Sequence, residues 1–236
     1  MRQRFLLDLP IWPVYLALSL LGCHPAAPGL VVPISAGPAT GQEVGIWVAS
    51  SVPSGHTLYR FKWLYRNERS SAGGRGSVRV APPDSLRFDV AGPLGVRAAS
   101  AVVVGDTSLW VRPPDAISSL VPSYPLLWAM FGVARPPLEG ETLRGLSDER
   151  LIAWQYSGAT DTVSYARTTG ASPTFTAEVR RAGKVVGRVQ TKLDANGRPV
   201  SSRLLVSSAP ARLDITFVST VEQQGFPADV WAPGRP

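Results

Sequence analysis

Aromatic and basic residues alternate through 58–66: Tyr59, Phe61, Trp63 and Tyr65 fall on one side, Arg60, Lys62 and Arg66 on the other. That period of two predicts a half-buried strand. It recurs downstream, where Val78 and Val80 alternate with Ser77 and Arg79, and Leu86, Phe88 and Val90 alternate with Ser85, Arg87 and Asp89. Residues 98–104 are apolar on both sides and read as a central strand, joined through a Gly105-Asp106 hairpin turn to 107–111. Further strands are predicted over 151–156, 162–167, 174–180, 184–193, 199–206 and 211–221. Ala182-Gly183 and Asp194-Ala195-Asn196-Gly197 serve as turns between them, since Gly and Asn tolerate positive φ.

Two stretches break the alternation. Thr40-Gly41-Gln42-Glu43 is a capping box, after which Val44, Trp47 and Val48 share one helical face that ends before Pro53. Between Pro113 and Pro137 stand six prolines, and Pro125 precedes Leu126-Leu127-Trp128-Ala129-Met130-Phe131. Proline at a first helical position with Leu127, Met130 and Phe131 at helical spacing predicts a short apolar helix, buried or facing a membrane. The expected fold is mainly β, of the α+β kind: about eleven antiparallel strands in a single sheet. A sheet that size curls into a half-barrel, and two or three short helices lid its apolar face.

The N-terminus carries a different signal. Arg2 and Arg4 precede an apolar run over 11–21, too short for an unassisted span, and Leu20-Leu21-Gly22-Cys23 ends it with the single cysteine of the 236-residue chain. A small residue before a lone cysteine is what lipoprotein signal peptidase cuts before diacylation. Asp8, Pro10 and Pro13 weaken this leader, and the alternative is an incidental thiol at Cys23. The expected organisation is a signal peptide over 1–22, a flexible Pro/Ala/Gly tether over 23–39 and one domain over 40–236. His24, rather than Asp, follows Cys23, so the retention signal of enteric-type sorting is missing. An outer-membrane anchor facing the periplasm is expected.

Charge narrows the partners. The formal net charge is +7, and removing 1–22 takes away Arg2, Arg4 and Asp8, leaving 22 basic and 16 acidic residues. The cations are scattered singly or in pairs such as Arg180-Arg181, without a basic block, which argues against nucleic acid. They suit a solvated strand face or attraction to anionic headgroups. With Cys23 acylated no thiol remains for disulfides or a cysteine metal site.

Catalytic patterns are nearly missing. The two histidines are His24 and His56, the latter in a Ser-Gly-His turn without a nucleophile beside it. Gly73-Gly74-Arg75-Gly76 lacks the context of a phosphate loop, and Asp194-Ala195-Asn196-Gly197 lacks the distal glutamate of a calcium loop. Asp84 and Asp115 read as turn or cap residues and Asp89 as an exposed strand position. No enzyme activity, metal or cofactor is expected. Aromatic and branched residues are instead in excess, and Trp47, Phe61, Trp63, Leu86, Phe88, Val90, Trp110, Leu127, Met130 and Phe131 are candidate linings of a hydrophobic cavity. An ordinary filled core accounts for the same residues.

The segment Gly76-Ser77-Val78-Arg79-Val80-Ala81-Pro82-Pro83-Asp84-Ser85-Leu86-Arg87-Phe88-Asp89-Val90 resembles the glycine-led strand, proline turn and Arg-aromatic strand of the LolA/LolB-like superfamily. Gly92-Pro93-Leu94-Gly95 is similar to a turn of its membrane-anchored receptor, and Val104-Gly105-Asp106 through Leu109-Trp110 to the hairpin before the carrier's helical insert. The resemblance implies an incomplete antiparallel barrel that holds lipid or lipoprotein acyl chains between sheet and lid. Where the carrier has an arginine before the proline, this chain has Ala81-Pro82, which departs from carrier-type lid control. A membrane-anchored lipoprotein that binds or receives an acyl chain is the expectation. The alternative is an envelope assembly lipoprotein with a packed interior that docks a protein partner.

Overall fold

The computed structural model describes residues 31–33, 35–92, 97–207 and 210–233. The leader, Cys23 and the Gly-Pro-Leu-Gly turn at 92–95, apart from Gly92, lie outside the described residues. Thirteen strands form one antiparallel sheet that does not close into a barrel. In chain order they are β1 (Gly37–Pro38), β2 (His56–Asn67), β3 (Ser71–Ala81), β4 (Ser85–Ala91), β5 (Arg97–Val104), β6 (Thr107–Arg112), β7 (Thr142–Ser147), β8 (Leu151–Ser157), β9 (Asp161–Thr168), β10 (Thr174–Arg181), β11 (Lys184–Leu193), β12 (Pro199–Val206) and β13 (Ala211–Gln223). Their spatial order is β1-β7-β8-β9-β10-β11-β12-β13-β2-β3-β4-β5-β6. Two meanders therefore join where β13 pairs with β2, with Leu213 opposite Tyr65 and Ile215 opposite Trp63.

The helices α1 (Gly41–Ala49), α2 (Ala116–Leu120) and α3 (Tyr124–Ala129) cover one side of this sheet, the inner face. α1 starts on the expected capping box: the Glu43 backbone N–H donates to Thr40 Oγ1 at 3.2 Å, and the Thr40 N–H donates to Glu43 Oε2 at 2.8 Å. These bonds, the backbone one first, hold the Glu43 carboxyl below its ordinary range. Val44 and Val48 are buried beneath the helix, as their spacing requires. α3 begins with Pro125 in its first turn and buries Leu126, Leu127, Trp128 and Ala129.

The count of eleven strands is corrected to thirteen, and the two additions are β1 and β7. β7 hides from a period-two reading because Leu143 packs inward while Leu146 packs on the opposite, outer face, and the inward place at Gly145 belongs to the Trp47 ring. β1 overturns the boundary at residue 40. Pro38 pairs with Arg144, and Val32 and Ala36 are buried against Ala153 and Ala166, so the last part of the expected tether belongs to the body.

β3 is also longer than its valines suggest, running back through Gly73–Gly76 to Ser71. β5 is not central; only β6 lies beyond it. Its outer face is apolar because a C-terminal 3-10 turn, Ala228–Trp231, lies over it. Arg87, Cα partner of the fully buried Val102, donates to the Val230 and Ala232 carbonyls, and Trp110 Nε1 donates to Trp231 O at 2.9 Å. Asp89, expected to be exposed, is shared by Arg79 at 3.2 Å and Arg87 at 2.9 Å. Both turns behave as their composition demands: Ala182 and Gly183 have φ of 47° and 77°, and Gly197 has 77°. Among the described residues no helix is long and apolar enough to cross a membrane.

Candidate functional site

The inner face divides into a filled half and an open half. Over β8–β10 the rings of Trp154, Tyr165 and Phe175 stack at 5.4 and 5.6 Å and leave no gap for a ligand between them. Burial pushes the Tyr156 and Tyr165 phenols far up, so both stay protonated; Tyr156 donates to the Arg135 carbonyl and Tyr165 accepts from the Arg135 N–H at 3.1 Å. Burial likewise pushes Tyr59, at the other end of the core, up to about 12.

Over β2–β4 the packing is different. Inward-facing Phe61, Trp63 and Tyr65 stand opposite Gly76, Gly74 and Ala72 of β3, three small residues in a row. The rings lean into the space this frees. A Cβ on Gly76 would lie 2.6 Å from the Phe61 ring and 2.9 Å from Val90 Cγ1, and one on Gly74 would lie 1.9 Å from the Ala91 carbonyl oxygen. Trp63 reaches across the strand, its indole N–H donating to Ala91 O at 3.1 Å and Arg75 O at 3.3 Å. The rings occupy the space over the two glycines, and drawn toward β3 in this way they leave a hollow between themselves and the helices.

The result is a cavity of about 270 Å³ between the sheet and the helices. Its floor is Phe61, Trp63, Tyr65, Phe88, Val90 and Ala99 with Leu213 and Ile215, and its walls are Leu127, Met130 and Phe131 on one side and Ile117, Leu120 and Val121 on the other. Among the described residues, Asp115 is the single charged one in the lining. Ala72 and Asp115 are exposed and mark the mouth.

The two walls are held unequally. α3 is pinned by two polar bonds in its last turn: Trp128 Nε1 donates to Gly105 O at 2.8 Å and Thr191 Oγ1 donates to Ala129 O at 2.8 Å. The Arg135 guanidinium stacks 5.3 Å from the Trp128 ring centre and bonds Asp106 at 3.2 Å. α2 has five residues, and Asp115 at its start makes no side-chain cap bond. Its attachment is the apolar packing of Ala116 and Ile117, with Val121 just beyond its end, so α2 is the weaker wall.

Of the ten candidate lining residues, Phe61, Trp63, Phe88, Val90, Leu127, Met130 and Phe131 meet in this cavity. Leu86 is on the same face but fully buried in solid core. Trp47 packs elsewhere, its ring 6.0 Å from that of Trp154. Trp110 points outward, under the C-terminal turn. The α2 wall, Ala72 and the two glycines lay outside the reading. The available signal was the row Ala72, Gly74, Gly76 at period two beside an aromatic strand. His56 sits edge-on to Phe226 at 5.4 Å, outside the lining. Among the described residues no three His, Cys, Asp or Glu side chains cluster at metal-binding distance.

No family model matches the chain, and neither does any curated protein. Solved structures share its fold. The LolA superfamily protein NE2245 from Nitrosomonas europaea aligns with a TM-score of 0.55 at 12% identity, over 83% of this chain and 98% of that one. A domain ascribed to outer membrane lipoprotein sorting, from Vibrio parahaemolyticus, aligns with a TM-score of 0.52 at 10% identity, over 82% and 97%. The chain has the LolA-like fold, and at these identities the likeness speaks for the fold alone.

Proposed function

We propose that this protein is an envelope lipoprotein, held at the periplasmic face of the outer membrane through acylated Cys23, that takes up one acyl chain of a lipid or lipoprotein without chemistry on it. The observation that carries this reading is the unfilled apolar cavity between Phe61, Trp63 and Phe88 of the sheet and Leu127, Met130 and Phe131 of the helices. Its volume, about 270 Å³, falls just under the ~300 Å³ lower end of ligand pockets, which suits one chain rather than a whole phospholipid. A lining that is apolar but for one rim carboxylate among the described residues favours hydrocarbon. The anchor makes the protein a receiver or holder, since a carrier must leave the membrane.

A dansyl-labelled fatty acid added to the purified protein should give a saturable rise in emission. Ala72→Trp, which plugs the exposed mouth, should displace about two methylenes of the chain and weaken binding roughly tenfold with the melting temperature unchanged. No emission change, together with no co-purifying acyl chain by native mass spectrometry, would overturn the reading and favour a packed assembly lipoprotein. For the anchor, Cys23→Ser should abolish palmitate labelling and release the protein from the membrane fraction. Unchanged labelling and fractionation refute it.

A further inference from the structure

The side of the sheet away from the helices is strongly basic, and its charges are arranged unevenly. Three carboxylates there are each shared by two arginines: Asp89 by Arg79 and Arg87, Asp214 by Arg203 and Arg212, and Glu178 by Arg180 and Arg188. Five more cations, Arg60, Lys62, Arg66, Arg75 and Lys192, are exposed and have no ion-pair partner among the described residues. Lys62 stands directly opposite Arg75 in the β2–β3 register, with Arg60 two residues away on the same face. Like charges directly opposite one another on a sheet are destabilising, so this placement costs the fold unless an anionic surface lies over it.

The same face receives the N-terminal chain. Val31 and Val32 pack on the outer side of β8 and β9, against Ala153, Ala166 and Leu151. Cys23 stands eight positions before Val31, a span of at most about 29 Å. From β9 to β2 there are five inter-strand steps, about 24 Å. A bilayer that holds Cys23 is therefore within reach of the Arg60–Lys62–Arg75 cluster. Between the cations stand half-buried Leu64, exposed Leu205 and the polar side chains of Thr216, Gln190 and Ser201, and the aromatics of β2 and β13 face the other way. Single-stranded nucleic acid would need aromatic platforms on this face for its bases.

We infer that the outer face of β2, β3 and β11–β13 is a docking surface for anionic phospholipid headgroups, which lays the sheet against the membrane independently of the acyl anchor. It is separate from the cavity, and the two can fail independently. The test uses the full chain carrying Cys23→Ser and compares vesicles of pure phosphatidylcholine with vesicles containing roughly a third phosphatidylglycerol. The protein should sediment with the anionic vesicles in preference to the neutral ones, and less so as salt is raised from about 50 to 300 mM. Adding R60Q/K62Q/R75Q should lower the partition coefficient about a hundredfold, near fivefold per cation. Fatty-acid probe binding of that variant should stay as it is, and its melting temperature should not fall, since the like charges facing each other at Lys62 and Arg75 are removed. Equal sedimentation with neutral vesicles, or no loss in the triple variant, would overturn the inference. Retention by a single-stranded oligonucleotide with none by vesicles would overturn it as well and assign the face to nucleic acid.

Discussion

At the residue scale, the cavity exists because β3 presents no side chain where Phe61 and Trp63 need room. Gly76→Ala places a Cβ 2.6 Å from a stiff ring, so Phe61 must swing into the hollow. Such overpacking costs about 1–3 kcal/mol, and urea unfolding should show it together with weaker fatty-acid binding. The outer face offers a second single-residue test. Burial raises the Asp214 carboxyl, but hydrogen bonds from Arg212 and Arg203 outweigh it, and the folded value lies below the ordinary one. A depressed carboxyl stabilises the fold fully above its unfolded pKa of about 3.9, and that contribution is lost as pH falls through the lower folded value. Asp214→Asn should therefore lower the urea midpoint at neutral pH and flatten its decline below pH ~4. Equal acid slopes in the two proteins would contradict this. Such residues are half legible in the sequence: alternation places the aromatics correctly, while Gly73 and Gly74 are assigned to no strand because a strand position without a side chain carries no period.

Elements depend on partners that the local sequence does not name. α3 was readable from Pro125 and the helical spacing of its apolar residues, but what holds it is Thr191, far along the chain on β11. The Thr191 hydroxyl is fully buried, donates to the Ala129 carbonyl and meets Ser202 Oγ at 2.9 Å. Thr191→Val keeps the shape and strands both partners without water, so it should destabilise the fold by about 1–3 kcal/mol in denaturant unfolding. β7 shows the reverse case. Its alternation fails because its leucines serve both faces and Gly145 yields to Trp47, so period alone cannot find an edge strand whose inner side belongs to a helix. Residues 98–104 misled for a related reason, since the second apolar side of β5 is matched to a turn more than 120 residues later.

For the molecule as a whole, one half of the inner face is filled by stacked aromatics and the other half is left open beneath its least anchored helix. A ligand seated there binds the folded state alone, so a fatty acid at a hundred times its dissociation constant should add about 2.7 kcal/mol and raise the melting temperature. A melt that does not move with fatty acid would place the ligand elsewhere. Sequence by itself determined the antiparallel meanders, the turns, two of the three helices and the inward set of aromatics. Each of these follows from a period or a turn chemistry carried by adjacent residues. Only the tertiary structure decided that β1 and β7 complete the edge, that Trp47 and Trp110 leave the lining, and that rings drawn over Gly74 and Gly76 leave a cavity beneath the helices. Whether an apolar face ends as solid core or as cavity depends on the summed volume of side chains brought together from distant segments, and no local pattern records that sum.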